Sequence, residues 1–513
     1  MINLTPREYQ QKIFETAISN NTLVVLPTGL GKTLIALLLA IERLKKYPSE
    51  KILMLAPTRP LIEQHFEYFK SQLPELFADL QMFTGSLPPQ KRKQTWSTAE
   101  IIFSTPQCVA NDLRNTLYNL NNVSLLIIDE AHRCLKNYDY TFIAKNYKEN
   151  SLNQRILGLT ASPGSDKENV KQICEHLNVD EVEVRTRESP DVKPYLQNRE
   201  FSKIEVPFPQ EFIEIRVLLK RIFDEKAEKL RGMNLLFEPA NKITLLKLQS
   251  RLSQQISQRN FQAMVGMSLC AQAIKVSHAI ELLETQTLSG LKDYLEGLIK
   301  QAQQKKTKGV QTLVNSKEFQ AAMLSLNQLI SKKIEHPKID ELKVLIENEF
   351  KENENARIIV FSQFRETASK IAENLNKIAG VNAKVFIGQA KKTNSSGLQS
   401  SGLSQKEQKK VIEEFKERKI NILCATSIGE EGLDIPEVNA VYFYEPIPSA
   451  IRKIQRAGRT ARLAPGKLAI LVTKNTKDEI HHYASSAREK KMYKTIEEVK
   501  KDIKNKPKTL GDF

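Results

Sequence analysis

The chain has 513 residues, 41% hydrophobic and 27% charged, an ordinary balance for a globular protein long enough for two to four domains. No apolar stretch reaches the roughly 20 residues of a membrane span, and "MINLTPREYQ" lacks a basic-then-apolar leader, so neither a membrane partner nor a signal peptide is expected. The formal charge of +17 and pI near 9.4 point instead to a polyanion, most often nucleic acid, while five scattered cysteines without a CxxC pair argue against structural zinc and for a reducing, cytoplasmic setting.

Taken in order, the first apolar runs are "TLVVL" (22–26), "KILML" (51–55), "EIIF" (100–103), "SLLIID" (124–129) and "ILGLT" (156–160), with amphipathic stretches between them. Strand, helix, strand repetition predicts a parallel sheet covered by helices on both faces, here over residues 1–204. From 205 to 335 the character changes. "FIEIRVLLKRIFDEKAEKL" and "AMVGMSLCAQAIKVSHAIELLE" carry apolar residues at helical spacing, so an inserted helical domain is expected. "ARIIVF" (356–361), "AKVFI" (383–387), "NILCA" (421–425), "AVYFY" (440–444) and "LAILV" (468–472) restore the α/β pattern and predict a second lobe over 336–480. Inside it, "KKTNSSGLQSSGL" (391–403) has the composition of a flexible loop, and the lysine-dense tail 481–513 that of a partly disordered segment.

Two stretches carry chemistry. "VVLPTGLGKTLIALLL" sets a glycine-bearing loop between a buried strand and an apolar helix, the arrangement in which backbone N–H groups and a helix N-terminus face a phosphate. Lys32 is expected to reach the β- and γ-phosphates of ATP and Thr33 to ligate Mg²⁺. Pro27 stands where the general pattern has glycine, but Thr28, Gly29 and Gly31 remain nearest the phosphates. In "NVSLLIIDEAHRC" an aliphatic run ends in two acids, which are costly at a buried strand end unless something compensates them. Beside a phosphate loop, Asp129 would hold the Mg²⁺ and Glu130 would orient and deprotonate the attacking water.

With these residues in place the chain resembles the superfamily 2 DEAH-box helicases. "REYQ" (7–10) looks like the adenine-reading segment, which implies Arg7 and Gln10 as nucleotide contacts. "APTRPLIEQH" (56–65), "FTG" (83–85) and "STPQ" (104–107) resemble the strand-contacting motifs of the first lobe, and "DEAH" (129–132) and "LTASP" (159–163) resemble motifs II and III. "IVFSQFRETA" (359–368), "ATSIGEEGLDIP" (425–436) and "QRAGRTAR" (455–462) resemble motifs IV, V and VI. The resemblance implies two RecA-like lobes with ATP between them. It also implies that Arg459 and Arg462 reach the γ-phosphate, that Gln455 links them to the attacking water, and that Asp434 contacts the ribose or the lobe interface. Ala461 replaces the commonest glycine of motif VI without upsetting a helical backbone. His132 takes the coupling position, with Thr160 and Ser162 as relay partners, and Thr58, Arg59, Thr105 and Thr426 would lie nearest the nucleic-acid strand. The other histidines lack metal spacing and are expected at the surface.

"FIGQA", "GLSQKEQKKVIEEFK" (402–416) and "SIGEEGLDIPEV" narrow the likeness to the group of archaeal Hef helicases and Fanconi anaemia group M proteins. That implies forked or branched DNA as substrate, gripped by a thumb-like insert through lysines and arginines such as Lys220, Arg221, Lys229 and Arg231, in the nucleoid. No nuclease activity is expected: "ERK" (417–419) lacks its aspartate, Leu423 standing there. Leu510 and Phe513 have the spacing of part of a sliding-clamp box, without its glutamine. The alternatives are a duplex-RNA-dependent motor and a non-catalytic DNA-binding scaffold. Against the scaffold stands the complete set of Lys32, Asp129, Glu130, Arg459 and Arg462.

Overall fold

A computed structural model of the chain describes residues 5–256, 260–389, 392–393, 399–400, 402–429, 435–460 and 465–505. Asp434, Ala461, Arg462, Leu510 and Phe513 lie outside them.

The first lobe is a seven-stranded parallel sheet in the order β3-β4-β2-β5-β6-β1-β7. Its strands are β1 (Thr22–Val25), β2 (Lys51–Leu55), β3 (Leu80–Phe83), β4 (Ile101–Ser104), β5 (Val123–Asp129), β6 (Ile156–Thr160) and β7 (Glu181–Val184). Successive side chains of a strand point to opposite faces. Accordingly Leu125 and Ile127 join one helix-covered core and Leu126 and Ile128 the other. That is why β5 is apolar but for Ser124 and Asp129 and buried at all seven positions. β3 and β7 had no counterpart among the apolar runs. They are edge strands, and "EVEV" alternates acids with valines because only Val182 is fully buried.

The second lobe has six parallel strands in the order β10-β13-β9-β14-β15-β8. They are β8 (Arg199–Val206), β9 (Ile358–Phe361), β10 (Ala383–Phe386), β13 (Ile422–Ala425), β14 (Ala440–Phe443) and β15 (Gly466–Thr473). β8 comes before the insert in the chain yet pairs with β15 over eight residues. The second sheet is thus completed by a segment that sequence order attaches to the first lobe. β11 (Lys392–Thr393) and β12 (Gln399–Ser400) form a short antiparallel pair within the stretch expected as a loop.

The insert comprises the helices Ile213–Gly232, Lys242–Ile256, Phe261–Thr285, Leu288–Gln303, Lys308–Val314 and Lys317–Ser331 around two cores. Asn260, Thr287, Thr307 and Ser316 each accept a backbone N–H at a helix start, which fixes where those helices begin. Phe261–Thr285 is, against expectation, long and apolar enough by length and composition to cross a membrane; Val276, Leu282 and Leu283 are spent in the insert core.

Up to residue 505 the tail departs from its expected disorder. Lys477–Lys504 is a 28-residue helix that leaves the second lobe and crosses to the first, where Met492, Ile496 and Val499 complete a core. Lys167 pairs with Glu498 and Asp502, and Lys453 with Glu489, so ion pairs tie the helix to both lobes. At its root, Asp478 and Lys338 form a fully buried ion pair.

Candidate nucleotide site and nucleic-acid interface

β6 separates the phosphate-loop strand β1 from the acid-bearing strand β5. Strands lie about 4.8 Å apart, so the loop after β1 and the acids after β5 open onto one crevice at the carboxyl edge of the sheet, with Thr160 at the end of β6 between them. The loop turns through Gly29 at φ 86° and Gly31 at φ 77°, left-handed values that favour glycine. A Cβ on Gly31 would meet Gln10 Nε2 at 2.3 Å.

Lys32 begins the helix Lys32–Lys46, and its Nζ donates to Leu26 O at 2.9 Å, folded into its own loop. Gln10 is buried and donates to Leu30 O at 3.1 Å, beside Tyr9 Oη on the same carbonyl at 2.9 Å. Expected as a base contact, Gln10 here braces the loop, and Arg7 is half-buried with its guanidinium over the Tyr195 ring at 5.2 Å.

Asp129 is 5% exposed. Its Oδ2 is 2.8 Å from His65 Nε2, and Thr33 Oγ1 lies 3.5 Å from His65 Nδ1. Burial pushes the Asp129 carboxyl up, but the hydrogen bond to His65 and the Lys32 ammonium outweigh it and hold the acid below its ordinary range. The backbone carbonyl of Asp129 accepts from Tyr140 Oη at 2.8 Å. Glu130 adopts φ 50°, a left-handed backbone uncommon outside glycine, as functional sites often show. Its Oε2 is buried without a hydrogen bond, 3.2 Å from His132 Nδ1. His132 Nδ1 is also 3.2 Å from Thr160 Oγ1. The Ser162 hydroxyl, expected in the same relay, goes instead to Met492 Sδ at 2.8 Å.

The expectation of surface histidines fails at His65 and His336, both buried. His65 lies on the helix Arg59–Gln72, whose inward face is Ile62, His65 and Phe69. That i, i+3, i+7 spacing was the available signal that His65 points into the lobe.

Motif VI arrives from the other lobe. Gln455 and Arg459 are buried on and just after the helix Ala450–Ala457. A Cβ on Gly458 would lie 2.8 Å from Thr28 Cβ, and Ile454 packs against the first-lobe core. The two lobes therefore meet at the phosphate loop. Hydroxyl and carboxylate oxygens from Thr33 and Asp129 are the hard donors Mg²⁺ takes, and the glycine turn, Lys32 and the Glu130 carboxylate fit a nucleoside triphosphate with its water.

On the strand-facing side, Thr58 and Thr105 are N-cap residues of their helices, and neither side chain makes a cap hydrogen bond. Arg59 is exposed and donates to Glu63 at 2.8 Å, and Glu63 also accepts from Lys409 of the second lobe at 2.6 Å. Thr426 is buried, its N–H donating to Phe386 O. On the insert, Lys220, Arg221, Lys229 and Arg231 are exposed, with Lys229 paired to Glu225.

The chain is similar to known helicases. The DEAD/DEAH box helicase family matches residues 7–170, the helicase conserved C-terminal domain 337–464, and the helical bundle of a putative ATP-dependent RNA helicase 211–334. The crystal structure of the Pyrococcus furiosus Hef helicase domain superposes with a TM-score of 0.70 at 41% identity, covering 94% of this chain and 98% of that one. A putative ATP-dependent RNA helicase of Methanocaldococcus jannaschii is 38% identical over 97% of the chain. An ATP-dependent DNA helicase of Neurospora crassa is 33% identical over 93%, and a Fanconi anemia group M protein homolog of Mus musculus 31% identical over 96%. The chain spans 61%, 42% and 26% of those three relatives.

Proposed function

The chain belongs to the DEAD/DEAH-box helicases of superfamily 2, in the group of the Hef helicase domain, and from that premise we propose that it is an ATP-driven motor acting on branched DNA in fork repair and recombination. The observation that carries the motor is the seating of Gly458 against Thr28, which puts the arginine-bearing helix of one lobe on the phosphate loop of the other. Hydrolysis then needs both lobes together, and their relative motion is the output.

In this reading Lys32 exchanges the Leu26 carbonyl for the β- and γ-phosphates. Thr33 and Asp129 would hold Mg²⁺, which when bound would neutralise charge on the phosphate oxygens. Glu130, half-buried with its Oε2 3.2 Å from His132 Nδ1, takes the proton of the attacking water. Arg459 stabilises the charge that develops as the γ-phosphoryl leaves, and Gln455 orients the water. Arg462 and Asp434 keep the roles that the family pattern implies. His132 and Thr160 carry the state of Glu130 to motif III. Thr58, Arg59, Thr105 and Thr426 hold the strand by its backbone, with exposed cations of the insert on the branch. Such contacts read no base sequence and weaken steeply with salt. The nucleoid is the place of action.

Support for DNA comes from the group membership and from relatives named as DNA helicases. A duplex-RNA substrate is the second reading, favoured by the name of the Methanocaldococcus relative and of the helical-bundle family. The test is ATP hydrolysis by the purified chain with forked DNA, linear duplex DNA, single-stranded DNA and duplex RNA at one salt concentration. Greatest stimulation by the fork is expected, with Glu130→Gln binding the fork without turnover. Stimulation mainly by duplex RNA would remove the DNA assignment and leave the motor.

A further inference from the structure

We propose that His65 is the positioning residue that sets the two Mg²⁺-binding side chains in register and, through its helix, links the state of the nucleotide site to the grip on the strand; this rests on the ATP-driven motor reading above. His65 is buried and stands between Thr33 and Asp129, with Nε2 2.8 Å from Asp129 Oδ2 and Nδ1 3.5 Å from Thr33 Oγ1. One tautomer serves both neighbours. With the proton on Nε2, the ring donates to the carboxylate, and Nδ1 accepts the Thr33 hydroxyl proton. The Thr33 oxygen then keeps its lone pairs for a cation, and Asp129 keeps Oδ1 for the same purpose. Partners of this kind, one shell out from a metal, orient the ligands and commonly set affinity by about 10–100-fold.

The helix that carries His65 gives the contact a second consequence. Arg59–Gln72 begins at the strand-facing Thr58 and Arg59, six residues before His65, or about 9 Å at 1.5 Å per residue. Glu63, two residues before His65, joins Arg59 to Lys409 of the second lobe. One rigid helix therefore touches the nucleotide-site acid, the strand-contacting arginine and the opposite lobe. A change at Asp129 that moves His65 must move Arg59 and Glu63 with it. Linkage makes this reciprocal: if bound nucleotide alters strand affinity through this helix, bound strand alters nucleotide affinity by the same factor.

The experiment uses the full chain and three variants: His65→Leu, which removes both hydrogen bonds, His65→Asn, which is too short to span them, and His65→Gln, whose amide can donate and accept at similar spacing. Two binding quantities are read. One is the MgCl₂ concentration for half-maximal binding of a fluorescent ADP. The other is forked-DNA affinity with and without Mg²⁺ and a non-hydrolysable ATP analogue. The leucine and asparagine variants should need about tenfold more MgCl₂ and should lose the nucleotide-dependent change in fork affinity. Fork affinity without nucleotide should stay as in the parent, and the glutamine variant should recover both readouts. If His65→Leu fails to fold, His65→Asn against His65→Gln carries the comparison. Parent-like Mg²⁺ dependence and parent-like linkage in His65→Asn overturn the proposal. Absence of fork binding or ATP hydrolysis in the parent chain would instead overturn the motor reading.

Discussion

Gly458→Ala isolates the contact between the lobes. Gly458 has φ −74°, a backbone any residue adopts, so alanine carries no strain there. Where the native backbone is compatible, Gly→Ala stabilises by about 0.4–1 kcal/mol through the unfolded chain. The added Cβ would lie 2.8 Å from Thr28 Cβ and 3.3 Å from Thr28 Oγ1. Carbon atoms pack at about 3.5–4.0 Å, so the helix end must withdraw from the phosphate loop by roughly 0.7–1.2 Å. Neither partner is the far end of a flexible side chain, and Thr28 sits in the loop that shapes the phosphate site. Arg459 is the next residue and moves with the helix. A misplacement of about 1 Å can cost roughly 100-fold in rate. The expected result is kcat for DNA-stimulated ATP hydrolysis lower by about 10- to 100-fold, with an unchanged or slightly raised Tm and unchanged binding of the strand to the separate lobe surfaces. Thermal unfolding and steady-state ATPase on the same preparations make the measurement. A kcat within about threefold of the parent would show that the lobes do not meet at Thr28 during turnover, and the cross-lobe reasoning would fall.

Met492→Ala tests the C-terminal helix as a brace: Met492 is fully buried in the first-lobe core, and such truncations cost about 2–5 kcal/mol. Local opening of residues 485–504 should become at least about 30-fold more frequent, read by hydrogen exchange, with β15 unaffected; equal exchange in both chains would refute the brace. Glu445 gives a pH signature. Burial raises its carboxyl to about 7, outweighing Lys338 and Arg456. A raised folded pKa means the stabilisation is complete below the unfolded value of 4.5 and is lost as pH rises through about 7. The parent should therefore lose about 3 kcal/mol between those values that Glu445→Gln does not lose, and parallel Tm-against-pH curves for the two chains would contradict it.

Much of the molecule is readable from its residues. Nine of the ten apolar runs became inner strands, because a strand buried on both faces can tolerate almost nothing else, and the tenth became the edge strand β10. β3, β7 and β8 escaped for the complementary reason: they lie at or near sheet edges, and "EVEV" and "REFSKIEV" keep charges on their open side. In the tail, lysine density obscured Met492, Ile496 and Val499, whose i, i+4, i+7 spacing marks a buried helical stripe. Charge belongs to the outer face of that helix, and composition averages the two faces together.

The candidate nucleotide residues were legible in the sequence, because Lys32 and Thr33 follow β1 and Asp129 and Glu130 lie at the end of β5, each in a strand-loop unit whose geometry is local. His65, Gly458 and Met492 could be assigned only by the tertiary structure. Each acts on a partner distant in the chain: His65 on Asp129, Gly458 on Thr28, Met492 on Ser162. Local periodicity fixes which face of a helix is buried, but the partner that covers it is chosen by how sheets, lobes and the returning helix pack, and that choice is written in no single segment.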